Sequence, residues 1–183
     1  MKHGFSPAIG MFLPLWLLLI LLVPGAIAHA QTIYTIDSGD ELRITVFEEN
    51  DLTGDFPVGS DGTITLPLAG KIELRDLTLQ AAQNRITNTL AQGFLRHPVV
   101  SLEVIHFRPF YILGEVNDPG QYDYVSGMNI LNAVALGGGF TYRADQDDIV
   151  ILRGREDNRI KLPAAPNSIV FPGDIIRVTE RYF

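Results

Sequence analysis

The apolar positions of this chain change period several times, and each change marks an element. In Asp40–Phe47 (DELRITVF), Leu42, Ile44 and Val46 occupy every second position, which predicts a strand with one apolar face. The polar run EENDLTGD (residues 48–55) reads as a loop. In FPVGSDGTITLPLAGKIEL (residues 56–74), Asp61-Gly62 supplies a tight turn and Thr63–Leu66 a strand. Ala69-Gly70-Lys71 then turns the chain into a returning strand over Ile72–Leu74. The period next becomes helical: Leu79, Ala82, Ile86 and Leu90 recur at three- and four-residue spacing. Asp76 or Thr78 is placed to cap this amphipathic helix, and Gly93 to end it. HPVVSLEVIHF (residues 97–107) returns to alternation, with Val100, Leu102 and Val104 on one side.

The second half uses the same parts. FYILGEVNDPGQYDYV (residues 110–125) predicts a strand, a turn over Asn117–Gly120 and a second strand. SGMNILNAVALGGGF (residues 126–140) predicts a short helix with Ile130, Leu131, Val134 and Ala135 on one face, ended by Gly137–Gly139. A strand over Ile149–Leu152, a turn and a further short strand follow, and SIVFPGDIIRVTERYF closes the chain with a last strand. That strand's entry, PGDIIRVT (Pro172–Thr179), repeats the pattern of SGDELRIT (Ser38–Thr45) near the other end. The first half runs Gly-Asp strand, hairpin, helix, strand; the second runs hairpin, helix, strand, Gly-Asp strand. The expectation is an α+β protein of two small hairpin-plus-helix domains. A Gly-Asp strand completes each sheet, and the junction lies at HFRPF (residues 106–110), punctuated by Pro109.

Gly39 and Gly173 permit a positive φ at a strand's entry, and the carboxylates of Asp40 and Asp174 can accept hydrogen bonds from the free amides of such a turn. The competing reading, an acidic ligand or metal site made by the two aspartates, lacks a second carboxylate at ligand spacing beside either one.

Composition changes the picture at the N-terminus and in the charge. Lys2 leads into an apolar stretch over Ala8–Ala28, broken by Pro24-Gly25 and closed by Ala28-His29-Ala30. This is the form of a secretory signal peptide cut before Gln31; a retained membrane anchor is the rival reading, since the run is long enough to span a bilayer. Removing it leaves enough chain for one ordinary domain or two small ones. The 183-residue chain has a net charge of −7, and losing Lys2 makes it more acidic, which disfavours nucleic acid as a partner. Cysteine is absent, so neither disulfides nor an acylated N-terminal cysteine is available.

Little catalytic chemistry is indicated. His97 and His106 lack the spacing and neighbours of a metal site. Glu48-Glu49 and Asp147-Asp148 read as solvated charge rather than facing hydrolase acids. Gly137–Phe140 lacks the Lys-Ser/Thr of a phosphate loop and reads as a helix C-terminus, and no serine stands in a G-x-S-x-G elbow. Carbohydrate recognition is harder to dismiss than catalysis, because Phe107, Phe110, Tyr111, Tyr122 and Tyr124 lie close in sequence. Tyr122 and Tyr124 share a face if their strand is regular; the alternative is that this face packs on the second helix.

The ordered motifs resemble the polysaccharide export domain of outer-membrane exopolysaccharide and capsule export proteins. The matching positions are Tyr34, Gly39-Asp40, the Val58-to-Gly62 turn with Asp61, and Leu66-Pro67-Leu68-Ala69-Gly70. ILGEVNDPGQY with NILNAVALGGG resembles the soluble-ligand-binding β-grasp domain of the same family, with Gly114-Glu115-Val116 and Pro119-Gly120 at its signature. The resemblance implies a signal peptide over residues 1–30, an export domain over 31–106 and a β-grasp domain over 107–183. Gly39, Asp40, Asp61, Gly62, Pro67, Gly70, Gly114, Glu115, Pro119, Gly120, Gly173 and Asp174 are the motif positions. It further implies a periplasmic, outer-membrane-associated homo-oligomeric ring through which a polysaccharide chain passes. Its implied partners are an inner-membrane polysaccharide co-polymerase and a separate outer-membrane pore. Neither catalysis nor a cofactor is implied. With no cysteine to acylate and an end at Phe183 soon after the last strand, the chain resembles the short members without a C-terminal membrane helix. A stand-alone periplasmic β-grasp module that senses a small ligand is the alternative.

Overall fold

The computed structural model describes Met1, Gly4 and residues 33–181; the Ala8–Ala28 stretch, the Ala28-His29-Ala30 site and Phe183 lie outside the described residues. The fold is α+β. The first half holds strands β1 (Glu41–Val46), β2 (Gly54–Pro57), β3 (Thr63–Leu66) and β4 (Gly70–Glu73), helix α1 (Leu79–Ala91) and strand β5 (Val100–His106). The second holds β6 (Phe110–Gly114), β7 (Gly120–Tyr122), helix α2 (Ile130–Leu136), β8 (Ala144–Arg153), β9 (Ile160–Ala164) and β10 (Ile175–Glu180).

The strands form a three-stranded sheet in the order β2-β1-β5, a two-stranded β3-β4 ladder and a five-stranded sheet in the order β7-β6-β10-β8-β9. Each Gly-Asp strand, β1 and β10, belongs to the sheet of its own half, as expected, and lies in the interior of that sheet. Their neighbours differ. β1 is antiparallel to both β2 and β5, whereas β10 runs parallel to β6 and antiparallel to β8.

Alternation decides which side chains are buried. Leu42, Ile44 and Val46 enter one apolar core with Ile64, Leu66, Ile72 and Leu74 and with the α1 face of Ala82, Ile86 and Leu90. Phe110 and Ile112 of β6, Ile149 and Ile151 of β8, and Ile176 and Val178 of β10 enter a second core, closed by α2. Each large aliphatic or aromatic side chain removed from water in this way contributes roughly 1.5–3 kcal/mol. The first core draws its buried residues from Ile36 to Leu102 and the second from Phe110 to Val178. α1 begins where Thr78 Oγ1 accepts from Ala81 N at 3.2 Å. α2 begins in a reciprocal cap: Asn129 Oδ1 accepts from Asn132 N at 2.9 Å and Asn132 Oδ1 from Asn129 N at 3.1 Å.

Three expectations are corrected. The polar run 48–55 is not all loop, because it holds a 3-10 turn over Asn50–Leu52 and the start of β2. β2 has no apolar alternation of its own; it forms as an edge on β1, with Arg43 Nε and Nη2 donating to Asp55 Oδ1 and Oδ2 at 2.7 and 2.9 Å. Residues Gly70 and Lys71 belong to β4 rather than to a turn, and the chain reverses over Pro67–Ala69. α2 buries Ile130, Ala133 and Val134, while Leu131 stays exposed, since positions three and four apart share a helix face.

Candidate functional site

Asp40 and Asp174 are the two buried charged residues among those described, each about 1% exposed. Their turns are built alike. Gly39 has φ +91° and Gly173 φ +83°, conformations that glycine adopts without strain. Asp40 N donates to Asp37 O and Asp174 N to Phe171 O, three residues back in each case. The amides of those same residues return the bond: Asp37 N donates to Asp40 Oδ2 at 2.9 Å, and Phe171 N to Asp174 Oδ2 at 2.8 Å.

An arginine neutralises each carboxylate. Arg108 Nη1 donates to Asp40 Oδ2 at 2.6 Å, Arg108 N to Asp40 Oδ1 at 2.8 Å, and Tyr34 Oη to Asp40 Oδ2 at 2.7 Å. Arg153 Nε and Nη2 grip Asp174 Oδ1 and Oδ2 at 2.9 and 2.7 Å, with the guanidinium 4.4 Å from the centre of the Phe171 ring. Asp40 accepts four hydrogen bonds and Asp174 three, where a carboxylate offers roughly four sites. The aspartates thus hold turns and charge partners, each neutralised by its own arginine, rather than a joint ligand site. Among the described residues no three His, Asp or Glu side chains converge on a metal position. Burial, followed by the neighbouring Asp40 charge and the hydrogen bond to it, pushes the Tyr34 phenol well above its ordinary range.

Arg108 lies between the two turns. A Cβ placed on Gly39 would lie 3.3 Å from Arg108 Cβ, and one on Gly173 would lie 3.0 Å from Arg108 Nε. The seam continues through Arg155, whose Nη1 donates to Asp76 Oδ1 and Oδ2 at 3.0 and 3.1 Å and lies 3.6 Å from Asp37 Oδ2. The junction residue Arg108 and the β8–β9 residues Arg153 and Arg155 were not legible as ion-pair partners. Their acids lie far along the chain, and the available signal was an arginine within or beside an apolar run.

The remaining motif positions lie at separate places. Asp61 Oδ2 accepts from Lys71 Nζ at 2.9 Å and Asp61 Oδ1 from Thr63 Oγ1 at 2.7 Å, and these bonds hold its carboxyl well below the usual range. Gly62 (φ +73°) lies under Arg75, where an added Cβ would come within 2.6 Å of Arg75 Cβ. Pro67 and Gly70 bound the β3–β4 reversal, whose Leu68 is exposed. Gly114 ends β6 at φ +92°, and any side chain there would collide with the Val178 carbonyl. Glu115 Oε2 accepts from Thr141 Oγ1 at 2.6 Å, and Pro119-Gly120 lead into β7. The preceding loop docks on the glycine run, with Asn117 N donating to Gly139 O and Asp118 N to Gly137 O, so that run ends a helix and seats a loop.

The aromatic residues divide. Tyr122 stacks on Phe110 at 5.9 Å in the second core. Tyr124 lies beyond β7, so the two tyrosines do not share a strand face, and it meets Phe107 edge-on at 5.2 Å. Phe107 in turn meets Tyr34 at 5.3 Å. These three rings wall a groove of about 510 Å³ beside Leu102, Glu103 and Val104 of β5, with Leu79 and Ser126 completing its lining.

Comparison with known proteins agrees with this architecture. Residues 28–105 match the family model described as polysaccharide biosynthesis/export protein, and residues 109–162 match the SLBB domain. The exopolysaccharide production protein ExoF of Rhizobium meliloti (strain 1021) is 31% identical over 156 residues, covering 79% of this chain and 37% of that protein. The polysialic acid transport protein KpsD of Escherichia coli is 24% identical over 140 residues, covering 75% of this chain and 25% of that protein. The chain thus spans well under half the length of these curated relatives. The two matches, in this order on the two apolar cores, place the chain in the polysaccharide biosynthesis/export protein family.

Proposed function

We propose that the chain is a component of an exopolysaccharide or capsule export apparatus, periplasmic and associated with the outer membrane, that assembles into a ring through which the polymer passes without catalysis. In this reading residues 1–30 are a signal peptide, 31–106 the export domain and 107–183 the soluble-ligand-binding β-grasp domain. The observation that carries it is the tandem family match on two cores held across a charged seam at Arg108. Assembly is supported by the sheet margins. β2 bounds one sheet and β7 and β9 the other, and Leu68, Val99 and Ile160 are exposed apolar side chains. A ring repeats one heterologous contact until it closes, which requires two different faces on each copy. The partners are the polysaccharide chain, an inner-membrane co-polymerase and a separate outer-membrane pore.

Deleting the gene should stop polymer from reaching the medium while lipid-linked precursor is still made. Crosslinking in cells should give a closed ladder of homo-oligomers. Normal secretion without the gene would overturn the reading, and a monomer with high affinity for a small ligand would replace it with the sensing module.

A further inference from the structure

The groove beside β5 contains backbone hydrogen-bonding groups as well as rings. Phe47 N donates to Val99 O at 2.9 Å, and Phe47 lies opposite Val99 in the β1–β5 register. Antiparallel pairs alternate, so the N–H and C=O groups of Val100, Leu102 and Val104 face away from β1. Two side-chain contacts agree with that phase. Val46, opposite Val100, turns its amide to Thr53 Oγ1 at 3.0 Å, and Val100 O accepts from Gln83 Nε2 at 2.9 Å. Leu102 and Val104 have no such cover among the described residues, and both line the groove. Gln83 closes the open edge at one end, and the register shift opposite Glu41/Leu42 ends its regular geometry at the other.

From this arrangement we infer that the β5 groove is a saccharide subsite that takes one or two uncharged pyranose residues; the inference rests on the export reading and names the part of the polymer that touches this face. Sugar hydroxyls both donate and accept, matching the outward N–H and C=O groups of Leu102 and Val104, while a pyranose's apolar C–H face packs on the Tyr34–Phe107–Tyr124 wall. The volume of about 510 Å³ lies within the roughly 300–1,000 Å³ range of small-molecule sites. Glu103 is the one charged side chain in the lining; Arg43 stands opposite it in the β1–β5 register, but its guanidinium is engaged by Asp55, which leaves the groove with a negative charge. An anionic sugar is therefore repelled and a neutral one accepted.

The test is amide-resolved NMR titration of the purified chain with neutral gluco-, galacto- and manno-tetraoses. Tetragalacturonate and an alternating Thr-Val octapeptide serve as the acidic and strand-forming controls. The expected result is that neutral sugars shift the Leu102, Val104, Phe107, Tyr124 and Ser126 signals with weak affinity, on the order of 1 mM. Tetragalacturonate should bind at least about ten-fold more weakly, with Glu103→Gln narrowing that gap. Phe107→Leu and Tyr124→Leu keep apolar bulk but remove the ring, and each should weaken neutral-sugar binding about ten-fold without moving Tm by more than a few degrees. No shift across the neutral panel, shifts confined to other residues, or tighter binding of the peptide would overturn the subsite. Groove shifts together with intact secretion after gene deletion would leave the site standing and remove the export reading; lost secretion with no groove shifts would do the reverse.

Discussion

The turn at Gly39-Asp40 and the turn at Gly173-Asp174 have the same backbone but different charge partners. Asp174 pairs with Arg153 at the end of β8, the strand beside β10 in its own sheet. Asp40 pairs with Arg108, which lies beyond the end of β5 at the approach to β6 and so belongs to the seam. One turn closes its own unit; the other ties the first core to the entry of the second. A repeated octapeptide thus fixes a local shape, while the arginine recruited from elsewhere decides what that shape holds together.

Removing the aspartates should separate these roles, and it carries the largest effect. Asp40→Ala takes the carboxylate from Arg108, which keeps the Thr35 carbonyl at 3.3 Å, and leaves Tyr34 Oη and the amides of Asp37 and Arg108 without their acceptor. Breaking a buried pair from one side costs about 3–5 kcal/mol. Asp174→Ala should cost less, about 2–3 kcal/mol, because it orphans one backbone amide and no phenol, while Arg153 keeps the Ile169 carbonyl and the Phe171 ring as partners. Urea unfolding gives the magnitudes, and hydrogen exchange gives their location. Asp40→Ala should raise exchange in both β1 and β6, and Asp174→Ala in β8 and β10 alone. Equal loosening of β1 by Asp174→Ala would remove the distinction.

The glycines come next. Both positive φ values make an alanine strained by about 1–3 kcal/mol. The nearest obstacle differs. At Gly39 it is Arg108 Cβ, close to the backbone, and at Gly173 it is Arg108 Nε in the charged head. Gly173→Ala should therefore act partly by displacing the guanidinium from Asp40. A double-mutant cycle of Gly173→Ala with Asp40→Ala should show coupling of about 0.5–3 kcal/mol. Strict additivity would mean that the two turns do not communicate through Arg108.

Sequence reasoning succeeded where one residue and its near neighbours decide the outcome. Thr63–Leu66 alternates and is flanked by turn residues, and it is β3 as expected. The Leu79-to-Leu90 spacing with Thr78 before it is α1 with its cap. It failed where an element exists because of a distant partner. Gly54–Pro57 is a strand because β1 offers an edge and Arg43 meets Asp55, and nothing in those four residues announces it. The short α2 was long enough to be recognised but too short for its face to be fixed, so Leu131 and Ala135 were assigned inward and Ala133 was missed. At the candidate site, the turn role of Asp40 and Asp174 was legible from Gly-Asp alone. Arg108 was not, because it donates across 68 positions of sequence. The groove was half legible: Phe107 and Tyr124 stood out as aromatic, but Tyr34 and the uncovered edge of β5 join them only through the fold.

The smallest effect at neutral pH separates the two turns by titration. The Asp40 turn includes a buried phenol hydrogen-bonded to its carboxylate, whereas the Asp174 carboxylate accepts from Arg153 and the Phe171 amide and from no tyrosine. The Tyr34 phenol is pushed above its ordinary value of 10.0, first by burial and then by the Asp40 charge. The folded state therefore keeps this proton when the unfolded chain has already lost it. Its contribution is fully present below pH 10.0 and is lost as the pH climbs beyond that value toward the raised folded one. Tyr34→Phe should cost about 1–2 kcal/mol at pH 7, since Asp40 keeps its three other donors. Between pH 7 and 9 the urea midpoints of the two proteins should run parallel. Above pH 10.0 the wild-type midpoint should fall more steeply than that of the variant, because the remaining tyrosines are common to both. Asp174→Ala should leave this alkaline difference intact, and Asp40→Ala should shrink it, since the carboxylate accounts for part of the shift. Parallel curves up to pH 11 would show that Tyr34 is not held as a buried donor to Asp40.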